Sequence, residues 1–89
     1  MLKLPPLLTH AAAAVFAQGL KQGVASEPAQ VVVDASALQE FDSSALALLL
    51  ACRREALAAG KAFTVTGLPL RLGQLANLYG VAELISTAT

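Results

Sequence analysis

The chain has 89 residues, 56% of them apolar and 13% charged, with six Lys and Arg against six Asp and Glu. This length allows one domain with one modest core, and the apolar share excludes a disordered tail or linker. The even charge excludes a nucleic-acid binder, because phosphate recognition needs a basic patch that this composition cannot assemble.

In chain order, Leu2 to Leu4 read as a brief strand closed by Pro5 and Pro6, which supply no ladder N–H groups. Thr9 is placed to cap a helix through AAAAVFAQGLKQ, with Ala12, Val15, Phe16, Gly19 and Leu20 as its buried stripe. GVASEPAQ is turn-like, with Gly23, Ser26 and Pro28 as breakers. VVVDA, β-branched and without alternation, suits a central strand covered on both faces. Asp42 then opens the best-defined helix by accepting from the N–H of Ser44 or Ala45, with Phe41 and Leu46 at staple positions and Gly60 at the exit.

KAFTVTG is an alternating strand with Phe63 and Val65 on one face. Pro69 sits in the first turn of a last helix, LRLGQLANLY, whose Leu72, Leu75, Ala76 and Tyr79 share a face and which Gly80 closes. VAELI is a short strand or a turn. Strand and helix alternate three times, which implies a mostly parallel sheet with helices packed on it.

The helix after Asp42 is unusually dry. From Ala45 to Cys52 no side chain is polar, and steps of about 100° spread these residues around the full circumference. One sheet cannot cover Leu46, Leu48, Leu49 and Leu50 together, so at least one Leu is expected to look outward, with Ala47 or Ala51 beside it. We read this surface as a seat for another protein. The alternative is that a second helix of the same chain covers it.

Catalytic chemistry is sparse. His10 and Cys52 are the only residues of their kinds, no Gly-rich phosphate loop is present, and no metal-ligand spacing is found. Asp34 is expected to end a strand, Glu40 to be solvated and Asp42 to cap. Gly67, Gly73 and Gly80 are spaced like helix punctuation. A lone cysteine allows no intramolecular disulfide and fits a reducing compartment. No apolar run reaches the roughly 18–20 residues of a membrane span. The start of the chain, with one Lys, two prolines and a Thr-His pair, departs from the signal-peptide pattern. A cytoplasmic location is therefore expected. Ser43 and Ser44 remain: in the first turn of a helix, either can meet a partner or take a phosphate.

VVVDASALQEFDSSALALLL, followed by a strand and a Leu-rich helix, resembles the STAS domain. That fold is shared by sulfate-transporter tails and anti-sigma-factor antagonists, with a buried strand ending in Asp, a loop, and Asp-Ser-Ser/Thr-Gly opening a helix. Within it, DSSALALLL, TVTGLPLRLGQLANLYGV and the short length are most similar to the MlaB group, the small cytoplasmic subunits of Mla phospholipid ABC transporters. The similarity runs over about residues 2 to 86 and is most specific over 31 to 80. It departs at Ala45, where the antagonists usually carry Gly, and at the N-terminus, where the first strand of the usual hairpin is missing. The edge at Leu2–Leu4 would then either pair with a second copy as a homodimer or stay short, blunted by Pro5 and Pro6.

The resemblance implies a single STAS domain over residues 1–89, without catalytic residues, cofactor or metal. The partner implied is an MlaF-like ATPase subunit, in a complex with permease and lipid-binding subunits that maintains outer-membrane lipid asymmetry. The domain would stabilise or activate that ATPase at the inner membrane as a peripheral protein, without inserting into the bilayer. The partner-binding residues would be Ser43, Ser44, Leu46, Ala47 and Leu50, with Leu48 and Ala51 as additions. Carried over by position, Ser43 is the docking hydroxyl of the MlaB group. Ser44 is the phosphorylation site of the antagonists, whose serine-phosphorylation switch is the alternative function.

Overall fold

The computed structural model describes residues 1–85 and 87–88, with side chains described through Ile85. A four-stranded sheet of β1 (Leu2–Lys3), β3 (Gln30–Asp34), β5 (Ala62–Thr66) and β6 (Thr87–Ala88) runs in the order β1-β3-β5-β6. Every pairing is parallel, in the register Leu2↔Val33, Val31↔Phe63, Val33↔Val65 and Val65↔Thr87. Helices α1 (His10–Gln18), α2 (Leu20–Ser26), α3 (Ser43–Ala58) and α4 (Leu70–Leu78) connect the strands. The architecture is the α/β, STAS-like one, a small parallel sheet with helices packed on it.

The core lies between the sheet and the four helices, α4 contributing Leu72 and Ala76. Phe16, Leu20, Leu48, Leu49 and Cys52 close over Leu2, Leu4 and Val33 and leave almost no void. Alternation along β3 decides which face is dry: Val31 and Val33 are buried, whereas Val32 is half-buried in register with Thr64. The expected cover on both faces is therefore absent. Gln30 Nε2 donates to Thr64 Oγ1 at 3.3 Å on that second, wetter face.

The first helical region differs from expectation. It breaks at Gly19 into α1 and α2, and α2 runs through Gly23 to Ser26, where a turn was expected. The break rotates the buried stripe: Ala13 and Leu20 are buried, Ala12 and Phe16 half-buried, while Val15 is 68% exposed and Gly19 exposed. Lys61, on the residue before β5, ends α2. Its ammonium donates to the carbonyls of Val24 at 2.8 Å, Ala25 at 3.2 Å and Glu27 at 2.5 Å, at the helix end where carbonyls run short of backbone donors; Val24 O also accepts from Glu27 N at 3.1 Å.

Helices α3 and α4 end alike. Gly60 at φ +72° donates to Leu57 O while Lys61 N reaches Ala56 O; Gly80 at φ +73° and Val81 repeat the pattern on Asn77 and Ala76. These are paired C-terminal bonds of the Schellman type, which favour glycine in the left-handed region. Leu72 and Ala76 are buried and Leu75 half-buried as expected, but Tyr79, the C-cap residue, is 58% exposed. Gly73 lies inside α4, and VAELI forms a 3-10 turn at Ala82–Leu84.

Gly67, at φ +66°, serves a close approach: a Cβ there would lie 2.7 Å from Ser36 Cβ. Ser36 N in turn donates to Asp34 Oδ1 at 2.9 Å. That turn holds the Asp34 carboxyl below the usual carboxylate range, through the Ser36 hydroxyl first and its N–H second.

A second, two-stranded sheet was not legible in the sequence. β2 (Leu7–Leu8) pairs in parallel with β4 (Glu40–Phe41), in the register Leu7↔Glu40 and Leu8↔Phe41. The Pro6 carbonyl accepts from Gln39 N at 2.8 Å and Glu40 N at 3.0 Å, locking the two segments side by side. Leu8 is fully buried.

Candidate functional site

The small sheet positions the site. Because Leu8 and Phe41 pair in parallel, the residues that follow them, Thr9-His10 and Asp42-Ser43, leave the sheet together. Both pairs are helix starts, so the first turns of α1 and α3 lie beside each other. Thr9 occupies the N-cap position of α1, but its side chain makes no capping bond. Asp42 serves both helices. Its Oδ1 accepts from Ser44 N at 2.8 Å, as a local cap, and its Oδ2 accepts from His10 N at 3.2 Å across 32 residues.

Two helix N-termini and several donors around one carboxylate favour its charged form. The Asp42 carboxyl is held below the usual range, mainly by the Ser44 N–H, then by the Ser44 hydroxyl and the His10 N–H. Next to it, Ser44 Oγ lies 3.4 Å from His10 Nδ1. His10, in the sequence only the single residue of its kind, thus has a neighbour in Ser44. The contact spans 34 residues and depends on the β2–β4 pairing, so no local spacing signals it.

Along α3 the five candidate contact residues separate by face. Residues 43, 47, 50, 54 and 57 recur at helical spacing and form an outward stripe. On it Ser43, Ala47, Arg54 and Leu57 are exposed and Leu50 is half-buried. Ser44 is half-buried on the flank towards α1. Leu46 is only 3% exposed and Leu48 4%, so both belong to the core and offer a partner little surface.

Opposite the stripe, Ala45, Leu49, Cys52 and Ala56 are buried. The helix is dry on several sides because α1 and α2 of the same chain pack on it, together with β5 and α4. Intrachain cover therefore accounts for most of its apolar surface, and the outward remainder is Ala47, Leu50 and Leu57, with Ala58 at the helix end.

The stripe has unlike borders. Towards α1 runs a shallow groove of about 240 Å³, lined by His10, Ala13, Ala14, Ser44, Ala47 and Ala51 among others. At the other border the Arg71 guanidinium of α4 stands 5.7 Å above the Phe41 ring, within cation–π range, and Phe41 packs against the core. Phe41 and the buried Leu46 occupy the staple positions around the α3 N-terminus.

The other reactive group is remote from this surface. The Cys52 thiol is buried and pushed up to about 11, by burial first and then by Glu27 and Glu55. Among the described residues no group of three or more His, Cys, Asp or Glu is placed to hold a metal, and no helix is long and apolar enough to cross a membrane.

No curated protein matches the chain. A family profile does, described as "Mlab, STAS domain", and it spans residues 1–86. The Asp-Ser-Ser helix start and the parallel sheet beneath it thus sit inside a match covering nearly the whole sequence, and the chain belongs to the MlaB STAS-domain family.

Proposed function

We propose that the chain is a non-catalytic STAS subunit of a phospholipid ABC transporter of the Mla type. It docks on the cytoplasmic ATPase subunit and stabilises the assembled, active complex at the inner membrane. The observation that carries this reading is the outward stripe of α3: Ser43 and Ala47 are exposed beside half-buried Leu50, on a helix start made rigid by Asp42. A small hydroxyl, a methyl and an isobutyl group on a fixed turn suit close helix packing by a partner. Ser43, Ala47 and Leu50 are the contacts, Ser44 lies at their border, and Leu46 supports them from within.

The phosphoswitch reading uses the same motif and takes second place. A phosphate on Ser44 would stand next to the Asp42 carboxylate, on a half-buried side chain, where like charge opposes it.

The deciding experiment is co-purification with the ATPase subunit of a Mla-type transporter. The wild-type chain is expected to be retained and Ser43→Glu to be lost, with unchanged circular dichroism in the variant. Equal retention of a folded Ser43→Glu variant overturns the docking role.

A further inference from the structure

Helix α1 is well anchored at both ends and thinly attached between them. On its N-terminal side Leu8 is fully buried and paired with β4. On its C-terminal side, beyond the break at Gly19, α2 buries Leu20 and Val24 and is held at its end by Lys61. Of α1's own nine residues only Ala13 is buried. Its seam with α3 is alanine against alanine, Ala13, Ala14 and Ala17 facing Ala47 and Ala51 across the open groove. Phe16, half-buried near the C-terminal end of α1, packs on the core, but methyl groups bury little area each, so apolar packing holds the N-terminal part of this helix weakly. The polar contribution to its seating is correspondingly large. That contribution comes from Asp42, which supplies the side-chain cap that Thr9 does not.

We propose that α1 is a strap latched to the α3 first turn by Asp42, so that the seating of α1 and the conformation of the Ser43–Ser44 turn are coupled. The same carboxylate holds His10 N and Ser44 N, and any load on one is felt by the other. Coupling of this kind is reciprocal: a partner that stabilises the turn seats the strap, and an unseated strap weakens the partner. The part of the proposal that concerns a partner rests on the ATPase-docking reading.

Two substitutions at His10 separate the latch from the imidazole. His10→Pro removes the N–H that Asp42 accepts, yet proline is well tolerated at a first helical position, and Thr9 before it is already extended at φ −83°, ψ 180°. His10→Ala keeps the N–H and removes only the ring. Native-state hydrogen exchange on the isolated chain is expected to show residues 11–18 exchanging roughly threefold faster or more in His10→Pro. Exchange in α2 and in α3 beyond its first turn should stay unchanged, and His10→Ala should match the wild type. Unchanged exchange in 11–18, equal acceleration of all three helices, or identical behaviour of the two variants overturns the latch.

With the ATPase subunit, His10→Pro is expected to bind several-fold more weakly than His10→Ala, and equal binding overturns the coupling. Failure of the wild-type chain to bind the ATPase counts against the docking reading alone, and the exchange comparison still decides the latch.

Discussion

Asp42 and His10, 32 residues apart, share a hydrogen bond that joins the starts of two helices: Oδ2 of the first accepts the backbone N–H of the second at 3.2 Å. Since Oδ1 is already committed to Ser44 N, removing this one carboxylate strips the side-chain cap from α1 and α3 at once. Asp42→Ala is expected to lower the urea midpoint by more than Thr9→Ala, whose side chain caps nothing. Equal midpoints for the two variants would contradict the double cap.

The same carboxylate sets a pH dependence. Asp42 and Asp34 both have folded-state values below the ordinary carboxylate value of about 3.9, so the unfolded chain binds more protons than the folded one in that range. Their contribution is complete above the unfolded value and is lost as pH falls through the lowered folded values. Stability should decline below about pH 4, and Asp42→Asn should flatten part of that decline. Denaturant titrations across this range check the sign.

Leu46 and Leu50 lie four residues apart on α3 and should separate stability from binding. Leu46 is 3% exposed, so Leu46→Ala should cost about 3 kcal/mol of stability. Leu50 is half-buried, and Leu50→Ala should cost about 1 kcal/mol or less while weakening ATPase retention. Urea unfolding and co-purification of the two variants provide the comparison.

Gly67 combines a left-handed backbone with a neighbour too close for a side chain, Ser36 Cβ at 2.7 Å from the added methyl. Gly67→Ala is expected to destabilise by about 2 kcal/mol or more. Gly60→Ala shares the backbone penalty but has no atom within 4 Å of the new methyl, so it should cost less. Thermal or urea unfolding will rank them.

Lys61 offers a further contrast. Lys61→Met keeps most of the aliphatic stem but removes the ammonium from three carbonyls of α2 and its exit. A loss of about 1–2 kcal/mol is expected, with faster hydrogen exchange concentrated in the last turn of α2. Cys52, buried and with its thiol raised to about 11, should resist alkylation at pH 8 until the chain unfolds. Labelling kinetics in increasing urea will show whether modification tracks unfolding.

Much of the fold was legible because it is written in local chemistry. The Asp42 cap, the glycines that end α3 and α4, and the alternation of Phe63 and Val65 all depend on residues within a few positions of one another. The remainder depends on contacts made across the chain. Two-residue strands such as Leu7–Leu8 and Glu40–Phe41 are too short to show a period, so nothing local announces their pairing. His10 beside Ser44 follows from that pairing and was equally hidden.

Lys61 reaches α2 over more than 30 residues, a distance at which spacing carries no signal. A helical period alone puts Val15 and Tyr79 on buried faces, but it does not say how far round each helix the rest of the chain reaches, and both are exposed. Within the site, counting apolar residues revealed that α3 is dry. Only the packing of α1 and α2 reveals which of its leucines their own chain covers.

The parallel pairing of Leu8 with Phe41 also makes loop length a shared property of two distant segments. From each strand end to the first helical residue the chain takes the same two steps, Leu8 to His10 and Phe41 to Ser43. A residue inserted into one step would put the two helix starts out of phase and carry His10 N beyond the reach of Asp42. The same insertion in both would restore the match. The geometry of this corner is thus kept by an equality between two spacings, and either spacing is free to vary only when the other varies with it.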